Sequence, residues 1–326
     1  RPLGLATTSL HRLDALDRIG TPFEQTQRSV DVRARGRFHP EQLGLYVFRT
    51  SVLSQQRAVA LPATELLGCF HVGALGQPHS LWCPARSRPG LLAPAEPGLA
   101  PQPIRRRELA RLLEQRRQAQ LDGRVVTDPY FGSEPVFVVQ FADDNGQVRT
   151  VAPEQMVAAN LSVLWRPPAQ LPYRRRRDGA VVSLPVTLAI DPELGRLAFA
   201  EGLSVRKVWV TYHYGAAAEL GGGGYPRRRC VDESARCLTV QDGDSTSVLA
   251  KLGDLGTAMA LWQGGQKLVV ELADSDRYSL SGLSVPVGCT LTVRAKSAQR
   301  PVLTTMQPAL MVSLGAGATL ELDGLL

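Results

Sequence analysis

Alternation of apolar and polar positions carries most of the information in this chain. Val205–Tyr214 is its clearest stretch: Val208, Val210, Tyr212 and Tyr214 share one face, and Trp209, Thr211 and His213 the other, which predicts a half-buried strand. Val136–Phe141 runs into Asp143-Asp144-Asn145-Gly146 and on to Val148–Val151, a hairpin pattern. Val181–Ile190, a turn at 191–196 and Leu197–Phe199 predict a second strand pair, and Leu161–Trp165, Ser29–Arg35 and Leu43–Ser51 read as further strands. One segment has helical spacing throughout: from Ile104 to about Gln120, with Pro103 at its start, Leu109, Leu112 and Leu113 on one face and Gly123 beyond its end. Its five nearby arginines oppose the helix dipole, and only Glu108 and Glu114 compensate within it. A shorter amphipathic helix fits Leu10, Leu13, Leu16 and Ile19.

From about Lys267 the texture changes to short strands at 268–272, 290–295, 310–314 and 319–322, separated by glycine and small residues. Leu268, Leu291 and Leu310 recur at steps of 23 and 19. Spacing near twenty fits the rungs of a parallel β-helix, with an antiparallel sandwich as the alternative. The apolar run Leu320, Leu322, Leu325 and Leu326 at the chain end favours the β-helix. That ending, and a start on Arg1, predict that the sequence is a window on a larger modular protein.

The fold class expected is therefore mainly β with one clear helix. The order is β-rich N-terminal and middle modules, then the start of a parallel β-helix. At 326 residues the chain exceeds one typical core. Three parts are expected: an N-terminal region with a proline-rich arm over 1–102, a helix plus sandwich-like module over 103–225 ending in the glycines 221–224, and a linker with the first solenoid rungs over 226–326. Residues 53–102, with six prolines between 84 and 103, read as a loop-rich stretch suited to lying along a neighbour. Gly221–Gly224 reads as a hinge or a close backbone approach; no Gly-Lys-Ser/Thr follows, so a phosphate loop is excluded.

Charge sharpens this picture. The net charge is +7, and the arginines cluster at 105–107, 116–117, 174–177 and 227–229. Nucleic-acid phosphates are one target for such clusters, but no aromatic interleaving or nucleic-acid motif accompanies them. Docking sites for acidic neighbours, or solvated turns, are the preferred reading. The candidate assembly contacts are Arg105, Arg106, Arg107, Arg174, Arg175, Arg176, Arg177, Arg227, Arg228 and Arg229. No apolar run is long enough for a membrane helix.

The search for chemistry returns little. Cys69, His71, His79 and Cys83 are four soft ligands within fifteen residues, without the knuckle spacing of structural zinc sites. Cys230 and Cys237 are the only close cysteine pair, open to a disulfide but read as thiols by default. His213 lies within a strand and reads as a hydrogen-bonded strand histidine. Asp274 and Asp276, and Asp242 and Asp244, are the tight acidic pairs of the C-terminal third; turn formation accounts for both. No catalytic residue, cofactor site or metal site is assigned, and the expectation is a non-enzyme.

Three segments together resemble a known family: Arg28–Arg33 leading through Gly36–Pro40 to Leu45–Arg49, then Pro101–Arg107, then Ala189–Arg196 with Val208–Gly215 and Gly221–Tyr225. The order is similar to that of large proteins associated with phage-tail-like, extracellular contractile injection systems, which pair a tail-associated region with a β-helix-like C-terminal part. Pro226 and Arg227 follow Tyr225 where other members carry an acidic residue. The resemblance implies a structural subunit, in the baseplate or on its periphery. Its partners would be other subunits and further copies of itself, assembled in the bacterial cytoplasm into a cytoplasmic or released particle. The alternative is a fibre that binds glycans or surfaces through the β-helix.

Overall fold

The computed structural model describes residues 51–84, 101–126, 128, 130–132, 134–217, 219, 222–227, 234–241, 248–253, 259–262, 266–305 and 308–326. Thr50–Pro84 and Pro101–Leu326 belong to one compact unit. The helix expected at 10–19, the strands at 29–35 and 43–50 and most of the proline-rich arm lie outside the described residues.

The strands, in chain order, are β1 (Ser51–Val59), β2 (Leu61–Pro62), β3 (Cys69–His71), β4 (Trp82–Cys83), β5 (Gln102–Pro103), β6 (Val138–Ala142), β7 (Val148–Thr150), β8 (Met156–Ala158), β9 (Gln170–Arg174), β10 (Val181–Pro185), β11 (Leu188–Asp191), β12 (Arg196–Phe199) and β13 (Lys207–Ala216). One sheet runs β1-β13-β6-β7 and a second β2-β3-β12-β11-β8. Val208, Val210, Tyr212 and Tyr214 are buried as the alternation requires. They share a core with Phe70, Phe137, Phe141, Phe199 and the buried face of helix α1 (Arg106–Leu121), which presents Leu109, Leu112 and Leu113. β6 and β7 form the expected hairpin, with the Asp143 carboxylate accepting from the Asn145 and Gln147 amides.

Three expectations change. Residues 53–102 are not uniformly loop: β1 is a full edge strand, antiparallel to β13 from Ser51 opposite Ala216 to Val59 opposite Trp209. The segment 181–190 is two strands in different sheets. β10 pairs with β9, and β11 pairs with β12 and, in parallel, with β8. Leu161–Trp165 forms no strand, because its backbone groups are taken by side chains: Asp191 accepts from the Leu161 amide, and Arg196 donates to the Leu161 and Ser162 carbonyls.

The C-terminal part is a parallel β-solenoid. Its first described rung is β14 (Arg236–Val240); the next holds β15 (Lys267–Leu272), β16 (Arg277–Leu280) and β17 (Leu283–Val285). Above it lie β18 (Thr290–Ala295), β19 (Val302–Thr305) and β20 (Val312–Leu314), then β21 (Thr319–Asp323). β14-β15-β18-β21, β16-β19 and β17-β20 form three parallel ladders. Leu268, Val270, Leu272, Leu280, Leu291 and Val293 fill the interior at 1 % exposure or less. Leu268 pairs with Leu291 at the predicted step of 23, but Leu291 pairs with Leu320 and not with Leu310, a step of 29. The strands stay in register while the corner after β18 grows to 296–301, against 273–276 after β15.

Candidate functional site

The predicted arginines separate according to what each guanidinium meets. Arg106 is half-buried and donates three hydrogen bonds, as a fork, to Asp191, whose side chain is fully buried. Asp191 also accepts from the Leu161, Glu193 and Leu194 amides, so it holds the β11–β12 turn and the start of α1 with one carboxylate. Glu193 accepts from the Arg106 amide at 3.1 Å and lies 3.3 Å from its guanidinium. The carboxylates missing from the helix N-terminus are thus supplied from 85 residues away in sequence, by the Asp191-Pro192-Glu193 turn. Arg105 and Arg107, which flank Arg106, are exposed.

Arg174–Arg177 form the tip of the β9–β10 hairpin. Arg174, Arg176 and Arg177 are exposed, and Arg175 pairs locally with Asp178. Gln118 latches this tip to α1, donating to the Arg174 carbonyl and accepting from the Arg176 amide. Arg116 and Arg117 brace the same side: Arg116 pairs with Asp128 and Glu154, and Arg117 donates to Tyr173 and the Glu154 carbonyl. Arg227 stacks on Tyr225 and donates to the Gly223, Lys296 and Gln299 carbonyls. Arg228 and Arg229 lie outside the described residues. The exposed candidates are therefore Arg105, Arg107, Arg174, Arg176 and Arg177; Arg106 and Arg227 are structural fasteners.

Where the β-module meets the solenoid, the contacts are polar and dense. Gln55, fully buried on β1, donates to the Ser275 hydroxyl, which donates to Gln299 and accepts from the Arg300 amide. The Val59 amide donates to the Ser275 carbonyl, Lys207 pairs with Asp276, and Arg277 donates to the Ala74 carbonyl. Asp274 accepts from the Asp276 amide and from Tyr278, so the acidic pair 274/276 builds the corner and the junction together. Asp242 and Asp244 lie outside the described residues.

Around Tyr214 the junction becomes aromatic. His79 packs against Tyr212 and Tyr214 with ring centroids 5.7 and 5.4 Å away, and the Arg300 guanidinium lies 5.2 Å from the Tyr214 ring centre. Burial, with a smaller contribution from the Arg300 charge, lowers the His79 pKa to about 4; burial raises that of Tyr212 to about 12. Gly215 carries no side chain because Trp82 covers it: a Cβ there would meet the indole at 2.5 Å. Of the glycine run, Gly222–Gly224 are described and make close approaches. Gly224 donates to the Tyr214 hydroxyl and lies against Ser54, while Gly222 lies against Gly324 and Leu325. His213 bonds the Val136 carbonyl through Nδ1 at 2.9 Å, as a strand histidine would.

The four soft ligands do not converge. Cys69 and His71 sit on β3, Cys83 is buried on β4 and His79 faces the tyrosines; among the described residues no group of three or more such side chains is placed to hold a metal. Cys237 is exposed, and Cys230 lies outside the described residues. Tyr278, the aromatic of the solenoid rungs, is buried inside the coil. A cleft of about 360 Å³ lies beside the Glu271–Arg294 ion pair, bordered by Arg227, Lys296 and Asp323; it carries both signs of charge. Among the described residues no helix is long and apolar enough to cross a membrane. Comparison with family models, with curated proteins and with solved structures returns no match.

Proposed function

We propose that this chain is a non-enzymatic structural component, in the baseplate or at its periphery, of a phage-tail-like contractile injection particle. The observation that carries the reading is the interlock of module and solenoid through Gln55, Lys207, Ser275, Asp276 and Arg277. A part that positions other subunits needs such a rigid joint. Its buried carboxylates serve the same end. Asp191 ties the β11–β12 turn to α1, Glu271 ties adjacent rungs, and Asp276 ties solenoid to module. The exposed Arg105, Arg107, Arg174, Arg176 and Arg177 supply cations of the type enriched at protein interfaces. Its partners are acidic surfaces of neighbouring subunits and further copies of itself, and its place is a particle assembled in the bacterial cytoplasm and retained there or released.

Electron microscopy of particles from the producing bacterium, with and without the gene, tests the reading. Particles absent, incomplete or lacking peripheral density after deletion are expected. Intact and fully active particles, or glycan binding by the purified chain with no particle association, overturn it.

A further inference from the structure

Arg107, Arg111, Glu114 and Gln118 follow one another on α1 at three- and four-residue steps, which sets them in one line along the helix. Arg107 and Arg111 are exposed. Gln118 shares the line but is only 6 % exposed, because the tip of the β9–β10 hairpin sits on it. The line therefore does not stop at Gln118. It passes to the hairpin, whose Arg176 and Arg177 are exposed. At the helical rise, Arg107 to Gln118 spans about 16 Å.

The tip is held firmly in that place. The Arg175 amide donates to the Ala180 carbonyl, and the Gly179 amide donates to the Arg175 carbonyl. Tyr173 donates to Glu114, and the Arg117 guanidinium lies 5.3 Å from the Tyr173 ring centre. Glu114, the carboxylate of the line, also accepts from Gln118 and is thereby engaged in the latch. Among the described residues, Arg107, Arg111, Arg176 and Arg177 have no carboxylate partner. Like charges fixed along one rigid face raise its potential and attract anions.

We infer that α1 and the hairpin tip form one continuous docking face for an acidic segment of a partner polypeptide, with its carboxylates set along a line. Arg111 thus joins the interface arginines, and the helix and the tip act as two halves of one surface. Two features favour protein over nucleic acid. Val181, the cross-strand partner of Arg174 at the tip, is 69 % exposed, and an apolar side chain beside the cations suits a polypeptide better than phosphates. Tyr173, the aromatic of the hairpin, is held in the latch by Arg117 and Glu114 and is not presented to a base. The inference rests on the reading of the exposed arginines as subunit contacts. Its test uses the purified chain, so it can fail while the gene-deletion experiment succeeds, and the reverse.

Four probes are titrated against the full 326-residue chain at low and high salt. One is an alanine-based helical peptide with glutamates in a single line at alternating four- and three-residue steps. The second has glutamine in their place, the third has the same glutamates dispersed around the helix, and the fourth is a short DNA duplex. The lined glutamate peptide is expected to bind most tightly and to weaken with salt. Arg111→Gln on the helix and Arg177→Gln on the tip should each lower its affinity about two- to fivefold. Arg111→Lys, which keeps the charge, should retain most of the affinity. Arg206→Gln, at an exposed arginine just before β13, should leave it unchanged. All these variants should unfold at the temperature of the unaltered chain. No binding of the lined peptide, or equal binding of the glutamine or dispersed peptide, overturns the proposal. So does a loss confined to one of Arg111→Gln and Arg177→Gln, or an equal loss in Arg206→Gln. Tighter binding of the duplex assigns the face to nucleic acid, and self-association that the lined peptide does not displace assigns it to a second copy; either overturns the proposal.

Discussion

Gly224 lies so close to Ser54 that a Cβ on it would stand 1.6 Å from the Ser54 carbonyl oxygen. Ser54 belongs to the edge strand of the module, and Tyr225 beside Gly224 accepts from the Ala298 amide of the solenoid corner. Backbone therefore meets backbone across the joint, and no rotamer change relieves an added methyl. Gly224→Ala is expected to destabilise the chain by more than about 3 kcal/mol, in the range of overpacked or strained sites. Gly123→Ala, where φ is +68° and no atom approaches within 4 Å, should cost about 1 kcal/mol through backbone strain alone. Thermal unfolding of the two variants gives the comparison.

Within the arginine triplet, stability should depend on one member. Arg106→Ala leaves the buried Asp191 carboxylate without its forked cation and should cost about 3–5 kcal/mol in denaturant unfolding. Arg105→Ala and Arg107→Ala should change stability by no more than about 0.5 kcal/mol. A binding role for the exposed pair can then be measured in variants that fold normally.

Acid should loosen the aromatic joint. The His79 pKa falls from 6.5 to about 4 on folding, so the unfolded chain binds a proton that the folded one rejects between those values. The stability tied to neutral His79 is fully present above pH 6.5 and is lost as pH falls towards 4, amounting to at most about 3 kcal/mol. Unfolding measured from pH 7 to pH 4 should decline less steeply in His79→Gln than in the unaltered chain. Equal slopes would remove His79 from the account.

At the junction, Lys207→Met strands Asp276, whose side chain is 8 % exposed, and should cost about 2–3 kcal/mol. Hydrogen exchange should report the loss at 273–276 and 296–301 while α1 stays protected. Equal loosening of the helix would mean that the joint is not a local element.

The solenoid interior predicts its own contrast. Leu291→Ala, at a fully buried rung position, should cost about 2–5 kcal/mol by cavity formation. Leu322→Ala, half exposed on the same ladder, should cost less than about 1 kcal/mol in the free chain. Thermal unfolding separates the two.

Elements governed by short-range chemistry were readable from the residues. The alternation of β13, the Asp143–Gly146 hairpin turn, α1 with its leucine face and the first solenoid step all appear as expected. β1 was obscured because a bulge between Gln55 and Ala58 breaks its alternation, and Arg57 takes a positive φ there. The second solenoid step differs because Leu310 is partly buried against the core outside the strands, while the rung partner of Leu291 is Leu320. The arginine runs hid their division of labour for a different reason. Arg106 differs from its neighbours only through Asp191 and Glu193, whose proximity depends on the folded β11–β12 turn. Gln55 and Ser275, 220 residues apart, carried no local signal of the joint they form.

The lengthened corner at 296–301 holds the segment 225–227 through Ser297, Ala298 and Gln299 and meets the module through Arg300 over Tyr214. Rung and corner therefore answer to separate constraints. The stacked strands set the pitch and tolerate no change in count, whereas the bends accept inserted residues without disturbing the stack. A lineage could re-angle the whole appendage, or move its anchorage, by editing a handful of codons at one bend.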